Sequence, residues 1–204
     1  MNKGKLLVIS GPSGVGKGTI CKRIAEDLDV DVSVSMTTRK PRDGEEEGVS
    51  YYFVTHDEFQ AEIARDGLLE YAQRYENYYG TPKARIIENL ESGRDVILEI
   101  EMEGALKAKK AVPGAVLIFI LPPSLAELRR RLEGRGTETK EAIEMRLSDT
   151  VGEIEYITGY DYAVVNDNIE QAVADVEKII AAEHMSTRGC AQQIIDKYKE
   201  ELQL

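Results

Sequence analysis

The chain has 204 residues, 42% hydrophobic and 31% charged, a balance that suits a soluble globule with a sizeable core rather than a disordered or fibrous chain. A formal net charge of −11 speaks against a general nucleic-acid or membrane-surface role, because such partners reward a basic face, so any clusters of arginine need a local reason. Cys21 and Cys190 lie far apart with no C-x-x-C spacing and no histidine cluster, and there is no apolar run of signal-peptide or membrane-span length, so a reduced cytoplasmic protein without zinc is expected.

The apolar run from Lys5 to Ser10 reads as a strand, and Ile20, Ile24 and Leu28 fall at helical spacing. Between them stands Gly11-Pro12-Ser13-Gly14-Val15-Gly16-Lys17-Gly18-Thr19, which matches G-x-x-x-x-G-K at Gly11, Gly16 and Lys17. In that pattern backbone N–H groups and a helix N-terminus converge on polyphosphate, glycines let the chain approach without a Cβ, and the lysine reaches the β and γ oxygens. The usual Ser or Thr after the lysine is replaced by Gly18, and the hydroxyl comes one place later. Either Thr19 serves a Mg²⁺ ion, or the ion is held mostly through waters.

Val30 to Val34 alternates with period two, and the polar, glycine-punctuated stretch from Ser35 to Gly48 reads as a loop, with Glu45 to Glu47 a solvated charged turn. Tyr51 to Val54 is a short strand; Thr55-His56-Asp57-Glu58 is a capping box that opens a helix ending at Gly67. Leu68 to Tyr75 forms another strand, Asn77 to Gly80 is turn-like, and Thr81-Pro82 reads as an N-cap with proline at N1 for a helix stopping at Gly93. The stretch 35 to about 80 is thus an excursion from strand-helix alternation.

Alternation resumes with a buried strand at Asp95 to Ile100, a helix from about Glu103 to Ala111, and the most apolar run, Ala115 to Leu121, which suits a parallel strand covered on both faces. Ser124 to Glu127 reads as a second capping box, and the helical pieces on either side of Arg135-Gly136 form a mobile flap. A last strand at Asp161 to Asn166 precedes a helix marked by Ile169, Val173, Val176 and Ile180, and a polar helix follows Arg188-Gly189. Repeated strand-helix units that begin with a phosphate loop predict an α/β fold: a three-layer sandwich on a mostly parallel doubly wound sheet, with ligand at the carboxyl ends of the strands.

Phosphoryl transfer to water or an alcohol needs a group that positions or deprotonates the nucleophile, whereas transfer to a phosphate needs mainly cations, since the acceptor is already anionic. The sequence offers Arg39 and Arg42 in the excursion, Arg131 and Arg135 at the flap, and Arg146 behind it, with Arg129 and Arg130 read as helix surface. His56 and His184 lie away from these loops and neither looks catalytic.

Separated motifs carry a family resemblance: GPSGVGKGT at 11–19, SMTTRKPRDGE at 35–45, GVSYYFV at 48–54, LLEYA at 68–72, NYYGTP at 77–82, LEIEMEG at 98–104, PPS at 122–124, RLEGRGTET at 131–139 and VVND at 164–167. The chain resembles the guanylate kinases from about Lys5 to His184. The resemblance implies ATP + GMP giving ADP + GDP with Mg²⁺, on a core (1–34, 82–122 and 147–204), a GMP-binding region (35–81) and a lid (123–146).

It further implies that Arg39, Arg42, Tyr51 and Tyr79 hold the GMP phosphate and that Ser35, Glu70, Thr81 and Glu101 read guanine. Lys17, Arg42, Arg131, Arg135 and Arg146 would act on the transferring group, Asn166 would lie near the adenine, and Thr19 and Glu99 are the candidate metal ligands. A carboxylate independently suits the N1–H and N2–H₂ donors of guanine. Many relatives have aspartate where this chain has Glu99 and Glu101. Two other readings are a non-catalytic peptide-binding module of the same fold and a kinase of another nucleoside monophosphate. No nucleic-acid or membrane partner is expected; monomer and homodimer both stay open.

Overall fold

A computed structural model describes residues 3–134 and 139–202. In chain order the first half comprises β1 (Leu6–Ser10), α1 (Lys17–Asp27), β2 (Val30–Val32), β3 (Met36–Thr37), β4 (Tyr52–Phe53), α2 (His56–Ala64), β5 (Leu68–Arg74), β6 (Asn77–Pro82) and α3 (Lys83–Ser92). The second half comprises β7 (Asp95–Glu99), α4 (Met102–Ala111), β8 (Val116–Leu121), α5 (Leu125–Gly134), α6 (Lys140–Ile154), a 3-10 turn (Glu155–Gly159), β9 (Tyr162–Val165), α7 (Ile169–Met185) and α8 (Ala191–Glu201).

Five parallel strands in the order β2-β7-β1-β8-β9 form the main sheet. Its apolar runs are continuous because both faces are covered. Leu7, Ile9, Ile97, Ile118 and Ile120 pack against α1, α5, α6 and α7, while Leu6, Val8, Val96, Leu98 and Leu117 pack against α3 and α4. Each fully buried Leu or Ile side chain contributes about 1.5–3 kcal/mol of transfer free energy, so these two layers are the main source of stability. β1 lies at the centre of the sheet, and its carboxyl end is tied to that of β7 by Ser10 Oγ donating to Ile100 O at 2.8 Å.

The excursion forms a second sheet in the order β4-β3-β6-β5. Two predicted features differ here. The stretch from Ser35 to Gly48 includes strand β3, held where buried Thr37 donates from Oγ1 to Tyr78 O at 2.9 Å. Asn77 to Gly80 is not a turn but the first part of β6; the reversal falls one step earlier, where Tyr75 takes φ 52. Thr81 is therefore a strand residue rather than an N-cap, and Pro82 occupies the N-cap of α3 with no side-chain cap bond.

Thr55 and Glu58 do form the predicted capping box, but α2 ends at Ala64 instead of Gly67, with the left-handed residue at Asp66 (φ 55). Ser124 forms only half of its predicted box: Ser124 Oγ accepts from Glu127 N at 3.1 Å, while the Glu127 carboxylate turns to Arg130 and Arg131. Gly93 ends α3 at φ 89 as expected. Among the described residues no helix is long and apolar enough to cross a membrane.

Candidate active site

The phosphate loop leaves the carboxyl end of β1, and two of its glycines have no substitute. A Cβ at Gly11 would collide with the Ile120 carbonyl of the adjacent strand, and Gly16, the N-cap of α1 at φ 96, would put a Cβ 2.6 Å from Asn166 Nδ2. The first turn of α1 has no side-chain cap and no acidic residue, so its amides and the positive end of its dipole favour an anion. Lys17 Nζ donates to Gly11 O at 2.7 Å and Pro12 O at 3.0 Å, which aims it back over the loop. Burial lowers the Lys17 pKa, against the opposing pull of Glu99, Glu153 and Glu101.

Pro12, Ser13, Gly14 and Val15 complete the loop, and Val15 is fully buried. Asn166, itself buried at the end of β9, donates from Nδ2 to Val15 O at 2.7 Å, so it supports the loop from beneath. Arg146 on α6 donates from Nη1 to Ser13 Oγ at 2.7 Å and so ties α6 to the loop. Arg131 is bound by Glu127 at 2.8 Å and approaches Asp167 O at 3.4 Å. Arg135 lies outside the described residues.

Gly18 and Thr19 are exposed on the first turn of α1, and a Cβ at Gly18 would sit 3.4 Å from Glu99 Oε2. The Glu99 carboxylate thus abuts the turn that carries Thr19. Protein around it raises its pKa, and Lys17 opposes that rise. No group of three or more His, Cys, Asp or Glu able to hold a metal occurs among the described residues. One carboxylate and one hydroxyl beside a polyphosphate loop fit Mg²⁺, which takes most of its ligands from phosphates and water.

The second sheet carries a separate cationic site. Arg39 is gripped by Glu45 through two bonds of 2.9 Å, and its guanidinium lies 5.5 Å from the Tyr51 ring centroid and 5.9 Å from that of Phe53. Tyr51 and Tyr79 meet edge to face at 6.1 Å on this side, while Tyr78 stacks on Phe59 at 5.3 Å on the other, as strand alternation requires. Glu45 Oε2 also accepts from Arg42 N at 2.7 Å, and these bonds hold its pKa at about 2. Glu45 is therefore no solvated turn residue. Glu46 and Glu47 are exposed as expected, and Glu47 accepts from Phe53 N at 2.9 Å. The Arg42 side chain is exposed, and Ser35 O accepts from Tyr52 N at 2.8 Å at the edge of this site.

Glu70 is only 8% exposed and its Oε1 accepts from Thr81 Oγ1 at 2.7 Å, with Thr81 fully buried. Burial raises its pKa, partly offset by the Thr81 bond and by Lys107. Glu101, at the N-cap of α4, is paired with Arg74 of β5 at 2.7 Å. Its side chain is 55% exposed, so only partial desolvation raises its pKa, and Arg74 and Lys17 pull it back.

Two clusters therefore form: one of Lys17, Ser13, Arg146, Asn166 and Glu99 around the loop, and one of Arg39, Tyr51, Tyr79, Glu70 and Thr81 on the second sheet. Sequence reading missed Glu45, Arg74 and Glu153. The arginine-glutamate spacing in R-K-P-R-D-G-E was the available signal for the first, whereas Arg74 and Glu153 gain their place only through tertiary packing. Arg129 and Arg130 pair with Glu144 and Glu127 on the helix surface as expected, and His184 bonds Asp95 at 2.7 Å, away from both clusters.

A phosphate loop at the carboxyl end of the central strand of a parallel sheet covered on both faces, with a second small sheet beside it, is the architecture of a phosphate-loop nucleoside monophosphate kinase. The family model for guanylate kinase matches residues 3–183. The chain is 52% identical to guanylate kinase of Latilactobacillus sakei subsp. sakei (strain 23K), over 98% of this chain and 97% of that one. It is 51% identical to that of Clostridioides difficile (strain 630), over 99% of each. The crystal structure of guanylate kinase from Anaplasma phagocytophilum superimposes with a TM-score of 0.76 at 35% identity, covering 92% of this chain and 89% of that one. The chain belongs to the guanylate kinase family.

Proposed function

We propose that the protein catalyses ATP + GMP → ADP + GDP by in-line transfer of the γ-phosphoryl group to the GMP phosphate. The observation that carries this reading is the coexistence of an intact phosphate loop, with Lys17 aimed over it, and a buried carboxylate, Glu70, fixed by Thr81 on the adjoining sheet. A nucleotide-binding loop alone would suit many reactions. A buried acceptor of two donors suits guanine and leaves adenine unmatched.

In this account the loop amides from Gly11 to Thr19 and Lys17 hold the ATP phosphates. Arg39, Arg42, Tyr51 and Tyr79 hold the GMP phosphate, while Glu70, Thr81, Ser35 and Glu101 take the base. Glu101 exchanges its bond with Arg74 for one to guanine. Arg131, Arg135 and Arg146 neutralise charge on the transferring group as the lid closes, and closure excludes water that would otherwise compete as acceptor. Glu99 and Thr19 would hold Mg²⁺, directly or through water. When bound, the ion offsets negative charge that builds on the β and γ oxygens. Asn166 acts by bracing Val15, which sets the loop's shape near the adenosine. We place the reaction in the cytoplasm, where both nucleotides are available and Cys21 and Cys190 stay reduced.

A coupled ADP-release assay over GMP, AMP and UMP tests the reading. Turnover with GMP far above the other two is expected; equal rates would overturn the guanine assignment, and no ADP release with any acceptor would overturn the kinase.

A further inference from the structure

We infer that Gly104 is a specificity-determining position: by leaving α4 bare where Glu70 lies against it, it fixes the carboxylate in the orientation that accepts from both donors of guanine. The inference rests on the reading of Glu70 as a base-binding residue.

The Glu70 side chain is enclosed on two sides. Its Oε1 takes the Thr81 hydroxyl at 2.7 Å, and its Oε2 faces Gly104, where a Cβ would lie 2.8 Å from Oε2 and 3.3 Å from Cδ. Real Cβ atoms do not sit that close, so a methyl group at 104 and the carboxylate in its present place exclude each other. The methyl would also touch Ile100 Cδ1 at 3.4 Å, so the clash that must be relieved is the one with the carboxylate. Retreat of the β5 backbone is resisted by its ladder with β6, in which Glu70 pairs with Thr81 and Tyr71 with Gly80. Lys107 Nζ donates to Tyr71 O at 2.8 Å and pins β5 to α4. What is left to move is the Glu70 carboxylate, by rotation away from its present plane.

Local structure argues against glycine at this position. Gly104 lies inside the helix α4, is buried and has no left-handed φ, so alanine would be the better helix former there, as at Ala105 and Ala108. A residue that local propensity disfavours and a close approach demands marks a functional constraint. The irregular register between Leu68 and Glu70 in the β5–β6 pair points the same way, since such irregularities re-aim a side chain. Bidentate acceptance of N1–H and N2–H₂ needs both oxygens oriented; inosine monophosphate lacks the 2-amino group and needs only one.

The test uses the full chain as Gly104→Ala, Glu70→Ala and the double variant. It measures kcat/KM for GMP and for inosine monophosphate, KM for ATP, and Tm. Gly104→Ala is expected to lower kcat/KM for GMP by about tenfold or more and to narrow the preference for GMP over inosine monophosphate. KM for ATP should stay within about twofold and Tm should hold or rise, a combination that a merely structural glycine would not give. In the Glu70→Ala background the same substitution should have no further effect. If Glu70→Ala leaves the preference intact, the base-reading role falls and the inference with it. If Glu70→Ala removes the preference while Gly104→Ala does not change it, the base-reading role stands and the inference about Gly104 alone is overturned. An equal loss from Gly104→Ala in both backgrounds, or loss of the fold in Gly104→Ala, would overturn it too, because the inference requires action through Glu70 on a helix that accepts alanine.

Discussion

Arg146 Nη1 donates to Ser13 Oγ at 2.7 Å, joining α6 to the phosphate loop across 133 positions of sequence. In the proposed reaction the guanidinium would meet the charge that develops on the transferring phosphoryl group, and its planar fork can address loop and phosphate together. Arg146→Lys keeps the charge and loses the fork. In steady-state kinetics kcat is expected to fall on the order of 10²-fold with KM for GMP little changed, the pattern of an interaction made in the transition state.

Lys17 is an enclosed ammonium whose burial lowers its pKa, and its hydrogen-bond partners are loop carbonyls. Lys17→Met should reduce turnover by on the order of 10³-fold, measured by ADP release, since the stabilising charge on the β and γ oxygens is removed. Tm by calorimetry is expected to hold, because the substitution also removes the desolvation cost of a buried cation.

The acid limb of the pH profile is expected to carry the signature of Glu70. Burial raises its pKa above the usual carboxylate value, and in the proposed base-reading role acceptance from guanine requires the ionised form. Log kcat/KM for GMP should therefore fall as pH drops through that raised pKa, with the midpoint above the ordinary value of about 4.3. Glu101, shifted in the same direction, adds to the limb. For stability the sign is opposite to that of a salt-bridged acid. The ionised Glu70 costs stability above its folded pKa, and that cost is relieved as pH falls through it. Glu70→Gln should consequently keep or raise Tm at pH 7 while flattening the acid limb.

Glu45 behaves in the reverse sense. Two bonds to Arg39 and one from Arg42 N hold its pKa at about 2. Its contribution to stability is complete above its unfolded value of about 4.3 and is lost as pH falls from there through about 2. Glu45→Gln leaves Arg39 without its carboxylate. KM for GMP is expected to rise by roughly three- to tenfold with kcat nearly unchanged, since a preorganised phosphate contact is loosened.

Much of this was legible in the residues. The phosphate loop and the doubly covered strands follow from local pattern: glycines where φ must be positive, and apolar runs where both faces are buried. The loop's neighbours were less legible. Asn77-Tyr78-Tyr79-Gly80 has turn composition but lies in β6, because Tyr75 absorbs the left-handed φ and Gly80 is needed for close packing on Phe59 rather than for a turn. Thr81-Pro82 mimics a helix cap, yet the Thr81 hydroxyl is taken by Glu70, a partner eleven residues earlier that only the β5–β6 pairing brings near. Arg74 and Glu101, 2.7 Å apart, lie on separate elements with no local pattern to join them. Glu45 was misread because a run of glutamates looks solvated until the chain folds Arg39 back on the first of them.

The measurement that bears most directly on the central claim, that an acidic pocket selects guanine beside a cation-lined phosphate path, is the ratio of kcat/KM for GMP to that for AMP in the wild type and in Glu70→Gln. A wild-type ratio on the order of 10⁴ is expected, falling by about 10²-fold in the variant while KM for ATP stays within about twofold. A ratio that Glu70→Gln leaves unchanged would contradict the account.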